Sequence, residues 1–140
     1  MSVPIYIDTN VYLDHFESRS DRLRPLGDFA TQLLKRALDC EFDIIVSSLV
    51  IDELVCHVSV ERVNALLFEF KARGKLIRAQ TLGQERQAAR EISRTRGTPV
   101  SDTLHAIIAQ RMNASYLVTR NLKDFGDLRD LVPIRLPELL

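Results

Sequence analysis

Four carboxylates, Asp8, Glu53, Asp102 and Asp124, each follow a short apolar run or open a helical pattern. Asp8 closes "VPIYI" (Val3–Ile7) and is followed by Thr9 and Asn10. A charge at the end of a buried strand is costly if left alone. Glu53 lies in "SLVIDELVCH", about one and a half turns into a helical pattern. Asp102 opens another helix after "TRGTPVS", and Asp124 lies in "RNLKDF", just past "SYLVT". Gathered in one cleft, such acids repel one another and their pKa values rise. A divalent cation resolves the conflict. Mg²⁺ or Mn²⁺ prefers hard oxygen ligands, typically a few carboxylates with waters and phosphate oxygens. Such a site can activate a water and stabilise charge on a phosphodiester. The sequence has no cysteine or histidine cluster to favour a softer metal. Singly, these acids read as a turn residue, a solvated helix residue, an N-cap and a turn former. Together, each beside a suitable element, they favour a site.

The elements that must position them can be read from hydrophobic spacing. Short apolar, β-branched runs occur at Val3–Ile7, Asp43–Ser47, Ser115–Thr119 and Leu131–Ile134, with Lys75–Ala79 as a possible fifth. They lack clean alternation, as strands covered on both faces do. Leu26, Phe29, Ala30, Leu33, Leu34, Ala37 and Leu38 keep the spacing of one helix face, with Pro25 suited to a first turn. Val63, Leu66, Leu67 and Phe70 repeat the pattern, as do Leu104, Ile107, Ile108 and Met112. Ser101 or Asp102 is suited to cap the last of these helices. The stretches 17–24 and 94–102 read as loops, or as a helix end running into a loop. Strands alternating with helices predict an α/β fold, a mainly parallel sheet of four to five strands with helices on both faces. In such sheets ligands bind beyond the carboxyl ends of the strands, where Asp8 falls.

Composition bounds the reading. With 140 residues and no composition break, residues 1–140 form one domain, long enough for a hydrophobic core. Lys+Arg and Asp+Glu each number 19, which argues against strong non-specific polyanion binding but leaves local patches free to act. Cys40 and Cys56 match no metal or disulfide spacing and read as small buried apolar residues. No signal peptide is visible and no run approaches the roughly 20 apolar residues of a membrane span, so the expectation is a cytoplasmic protein with no membrane partner.

The order of motifs resembles the PIN-domain ribonucleases, most of all the VapC-type toxins of prokaryotic toxin–antitoxin pairs. "IDTNVYLD" is similar to the opening motif, "SLVIDEL" to a Ser-x-x-x-x-Glu motif, "SDTLHAIIA" to the third acid on its helix, and "VTRNLKDF" to the closing motif. The likeness spans Val3 to about Pro133. It implies the PIN-like fold and metal-dependent endonucleolytic cleavage of RNA. Asp8, Glu53 and Asp102 would be the metal acids, and Asn10, Ser48 and Thr119 polar supports. The place of the family's fourth acid holds Asn121, with Asp124 three residues on. Either Asp124 or Asn121 would then fill the fourth role, and one or two metals could be held.

Other readings follow from neighbouring residues. Arg19, Arg22, Arg24, Arg94, Arg96, Arg120 and Lys123 flank the motifs and could contact RNA phosphates, or be ordinary surface charge. His57, one turn after Glu53, could join it at a metal, although a solvated histidine is commoner. His105, three residues after Asp102, is expected to pack against or hydrogen-bond that acid. Apolar helix faces with Phe16, Phe68 and Phe70 predict a symmetric homodimer. The resemblance implies a cognate antitoxin protein. A housekeeping RNA-processing nuclease and a degenerate, non-catalytic PIN binding module are the alternatives. A haloacid-dehalogenase-like phosphatase fits less well, since it needs a second acid where Asn10 stands.

Overall fold

The computed structural model describes residues 2–17, 25–39 and 41–140. Cys40 and Arg19, Arg22 and Arg24 lie outside them. The strands are β1 (Val3–Ile7), β2 (Phe42–Ser47), β3 (Leu76–Ala79), β4 (Tyr116–Val118) and β5 (Ile134–Arg135). They form one five-stranded sheet in the order β3-β2-β1-β4-β5, every pair parallel. The helices are α1 (Thr9–Glu17), α2 (Leu26–Leu38), α3 (Ser48–Leu54), α4 (Val60–Ala72), α5 (Gly83–Arg96), α6 (Val100–Arg111) and α7 (Leu122–Phe125). Among the described residues, no helix is long and apolar enough to cross a membrane.

β1 is the central strand, and its sequence explains why. Ile5, Tyr6 and Ile7 are consecutive and all fully buried, which requires helices over both faces of the sheet. Tyr6 pairs in register with Ile45 on one side and Leu117 on the other. Local chemistry sets the helix ends. Ser47 caps α3 by accepting from the Val50 N–H, and Ser59 caps α4 by accepting from the Arg62 N–H. α5 stops at Gly97, whose φ of 73° is the left-handed conformation glycine adopts without strain. Gly97–Pro99 then turns the chain directly into α6, which packs along α5. Arg111 on α6 reaches back to the buried carboxylate of Glu85 on α5, with Nε 2.7 Å from Oε2.

Some expectations need correction. β5 begins at Ile134 rather than Leu131, because Leu131 is in a turn, donating to the Leu128 carbonyl, and Pro133 has no N–H for a ladder. α6 starts at Val100 with Pro99 at its N-cap, so Ser101 and Asp102 lie inside its first turn and neither is the cap. Residues 94–96 end α5 and run into a short loop at 97–99, so of the two readings of 94–102 the helix end running into a loop is the one seen, with 100–102 already in α6. Cys56 is exposed, not buried. Phe70 is fully buried, whereas Phe68 is 71% exposed.

Candidate functional site

From β1 the chain moves to β2 and β3 on one side, then returns to place β4 and β5 on the other. The carboxyl ends of β1 and β4 therefore flank the point where the winding reverses, the usual position of a binding crevice in an open α/β sheet. Asp8 stands there. Its N–H donates to the Val118 carbonyl (2.9 Å), and its Oδ2 accepts from Thr119 Oγ1 (3.0 Å). Thr119 Oγ1 also accepts from the Asn121 N–H at 3.0 Å. Asp8 is only 3% exposed. Burial raises its pKa and Glu53 adds to the rise, while His105 and the Thr119 hydrogen bond oppose it.

Glu53 comes to Asp8 from the end of α3. Its Oε1 accepts from Thr9 Oγ1 (2.6 Å) and from His105 Nε2 (2.7 Å), and its Oε2 accepts from Ser101 Oγ (2.6 Å). Burial works against this charge, but the hydrogen bond and positive charge of His105, then Ser101 and Thr9, outweigh it and hold the carboxyl down at about 2. Asp102 has the opposite balance. Burial first, then the charge of Asp8, with smaller contributions from Asp124 and Glu53, push it up to about 6 despite the pull of His105.

Asp8, Glu53 and Asp102 line one cleft of about 260 Å³, together with Asn10, His57 and His105. Asp124 is beyond its wall but near enough to act on Asp102. Asn121 holds it: Asn121 Nδ2 donates to Asp124 Oδ2 (2.9 Å), and the Asp124 N–H donates back to Asn121 Oδ1 (3.3 Å). Not every candidate joins the cleft. Ser48 hydrogen-bonds Thr81 (2.8 Å), whereas its neighbour Ser47 reaches Tyr6 behind the site. His105 bonds Glu53 and Tyr6 rather than Asp102. Arg96 is committed to both oxygens of Asp130 (2.7 and 2.9 Å) and Arg120 to both of Glu138 (2.9 and 2.9 Å), so neither is a free phosphate contact. Arg94 and Lys123 are exposed. Thr9 and Ser101, which hold Glu53, had a visible signal, since each is adjacent to an acid in the quoted motifs.

The PIN-domain family model matches residues 5–131. The chain belongs to the PIN-domain family. Solved structures carry the same fold at low identity. A toxin–antitoxin complex from Klebsiella pneumoniae aligns with a TM-score of 0.64 and 17% identity, covering 97% of this PIN domain and 99% of that chain. VapBC2 from Rickettsia felis, bound to a DNA fragment from its promoter, aligns at 0.65 and 20%, covering 96% and 98%. FitAcB from Neisseria gonorrhoeae aligns at 0.59 and 18%, covering 97% and 99%. No curated protein matches the sequence significantly.

Divalent ions are general to PIN nucleases, so the donor set of this one must be tested against that chemistry. Among the described residues, no three His, Cys, Asp or Glu side chains converge tightly enough to ligate one ion on their own. The cleft instead offers Asp8 and Asp102, with Glu53 already engaged by its three donors. That set suits a hard ion that keeps most of its waters and takes one or two carboxylates, as Mg²⁺ does. It does not suit zinc, which wants three or four nitrogen, sulfur or oxygen ligands from the protein.

The opposed pKa shifts make a stability prediction for the metal-free PIN domain. Glu53, lowered from 4.5 to about 2, contributes stability that is present above pH 4.5 and lost as pH falls through 2. Asp102, raised from 3.8 to about 6, binds more protons folded than unfolded across that interval, so its charging destabilises the fold as pH rises through it. The melting temperature in EDTA should therefore fall from pH 5 to pH 7 relative to Asp102→Asn. Parallel curves for the two proteins would contradict the assignment.

Proposed function

We propose that this PIN domain is a divalent-metal-dependent endoribonuclease and serves as the toxin of a toxin–antitoxin pair. The meeting of Asp8, Glu53 and Asp102 in one cleft at the switch point of the sheet carries this reading. PIN domains are generally nucleases, and the toxin–antitoxin origin of the similar structures supports the toxin role. Bound Mg²⁺ or Mn²⁺ would supply an ionised water near neutral pH and a counter-charge for the phosphodiester. Asp8 and Asp102 would hold it, and Glu53 and Asp124 would act from slightly further out. The chain's own part is to fix those carboxylates: Thr119 aims Asp8, Thr9 and Ser101 aim Glu53, and Asn121 aims Asp124. Asn10, exposed at the cleft wall, offers an amide to a substrate phosphate.

Arg94 is a natural partner for RNA phosphates, because Arg86 and Arg90 repeat at one-turn intervals on the same exposed side of α5. Lys123 offers a further cation. An antitoxin would cover the cleft, setting an Arg or Lys against the carboxylates. A symmetric homodimer would bury the exposed Phe68 and Val60 of α4.

The test is cleavage of a mixed RNA pool by purified protein with Mg²⁺ or Mn²⁺. Cleavage abolished by EDTA, with growth arrest on expression relieved by a co-expressed adjacent small protein, is expected. Cleavage unaffected by EDTA would overturn the metal mechanism. Cleavage with no growth effect at confirmed protein levels would move the reading to RNA processing.

A further inference from the structure

Tyr6 and Ser47 behind the cleft, with His105 at its wall, form a closed circuit of hydrogen bonds. Ser47 Oγ accepts from the Val50 N–H at 3.2 Å and lies 2.6 Å from Tyr6 Oη. Tyr6 Oη is in turn 2.6 Å from His105 Nδ1. The far ring nitrogen, Nε2, is 2.7 Å from Glu53 Oε1. Both ends of this chain of contacts lie on α3, at Val50 and Glu53. Tyr6 and Ser47 are fully buried and His105 is 1% exposed, so water does not compete for the Ser47–Tyr6–His105 bonds, while Glu53 at the far end faces the cleft.

The circuit passes through every element that carries a cleft acid. Tyr6 is on β1, two residues before Asp8, and His105 is on α6, one turn after Asp102. Glu53 is on α3 itself. The bond directions are consistent throughout. With a proton on Nε2, His105 donates to the carboxylate whether the ring is neutral or charged. In the neutral ring the Tyr6 hydroxyl donates to Nδ1 and accepts from Ser47, leaving each hydroxyl with one bond given and one received. An apolar core at this place would pack as well, but would let α3 and α6 slide against β1. Hydrogen bonds have directions and lengths, and here they tie α3 and α6 to β1 through Ser47, Tyr6, His105 and Glu53.

We infer that Tyr6 and His105 are positioning residues of the active site, fixing Glu53 directly and, through their own elements, setting the placement of Asp8 and Asp102, the two carboxylates that would hold the metal. This rests on the metal-nuclease reading above. Second-layer partners of this kind typically change metal affinity or activity by about 10–100-fold when removed.

The test uses Mn²⁺ binding by calorimetry beside RNA cleavage kinetics, on the full chain. Tyr6→Phe keeps the ring and removes only the hydroxyl. His105→Leu removes both bonds, and His105→Gln returns an amide donor near the Nε2 position. Tyr6→Phe and His105→Leu should weaken Mn²⁺ binding and lower kcat by about 10-fold or more, with KM for RNA little changed. His105→Gln should recover most of the loss. Wild-type Mn²⁺ affinity and kcat in both Tyr6→Phe and His105→Leu would overturn the proposal while leaving the nuclease reading intact. Losses that follow the melting temperature alone, with no recovery in His105→Gln, would overturn it as well. A wild-type protein that binds no Mn²⁺ and cuts no RNA would remove the reading and the proposal together.

Discussion

Asp8→Asn should abolish RNA cleavage, by on the order of 10²-fold or more, while leaving the metal-free fold as stable as before or slightly more so. The two halves of this result have one cause. Asp8 is almost wholly buried beside other acids, and burial raises its pKa, so its charge is unfavourable to the empty fold. Asparagine has nearly the same shape, and its Oδ1 can still accept the Thr119 hydroxyl. What disappears is the negative charge that would help hold the cation. Mg²⁺ or Mn²⁺ should raise the wild-type melting temperature by mass action, and should do so far less in Asp8→Asn. Asp102→Asn should behave alike, and Asp124→Asn, lying outside the cleft, should cost less. RNA cleavage by Asp8→Asn at the wild-type rate would end the metal mechanism.

The largest effect on stability should come from Arg120, which sequence position alone suggested as an RNA contact. Its side chain is 14% exposed, bonded to both oxygens of Glu138, with Nε 3.7 Å from Asp14 and its guanidinium 5.7 Å from the centre of the Phe29 ring. It thereby joins the end of β4 to α1, α2 and the turn at Pro137–Leu139. Arg120→Ala leaves two acids, one of them the buried Asp14, without this cation. Removing a cation that faces one buried and one partly exposed carboxylate costs about 2 kcal/mol, below the full cost of breaking a buried pair, and equivalent to roughly 5–8 °C in melting temperature for a domain of this size. Urea denaturation should show it as a lower midpoint with an unchanged slope. A loss below about 1 kcal/mol would mark Arg120 as an ordinary surface charge.

What the sequence made legible depended on whether chemistry or placement was being asked of it. Val3–Ile7 was readable as a strand because burial on both faces demands an unbroken apolar run, and β1 has those bounds. The same signal found β2, β3 and β4 to within a residue or so. α5 was missed because its inward face is narrow, with Ala89 and the ion-paired Glu85 as its buried residues, which leaves little apolar periodicity to read. Strand ends and helix starts pointed to the acids. The hydrogen-bond partners did not follow, because they are matters of three-dimensional neighbourhood. His105 lies one turn from Asp102 in sequence yet bonds Glu53, and of two adjacent serines it is Ser47 that reaches Tyr6 while Ser48 turns to Thr81. A one-residue difference at a strand end reverses which way a side chain points.

The bond from Thr119 to Asp8 joins residues 111 positions apart. β1 must wait for β4, the last strand but one, before its terminal carboxylate gains the Thr119 hydroxyl. Contacts of such long sequence separation form late, after local helices and the neighbouring β1–β2 pairing. During synthesis the chain emerges from its N-terminus, so Asp8 is made well before Thr119, the residue that aims it. The cleft therefore assembles only once β4 has paired with β1, so fragments ending before Thr119 should lack its hydrogen bond to Asp8.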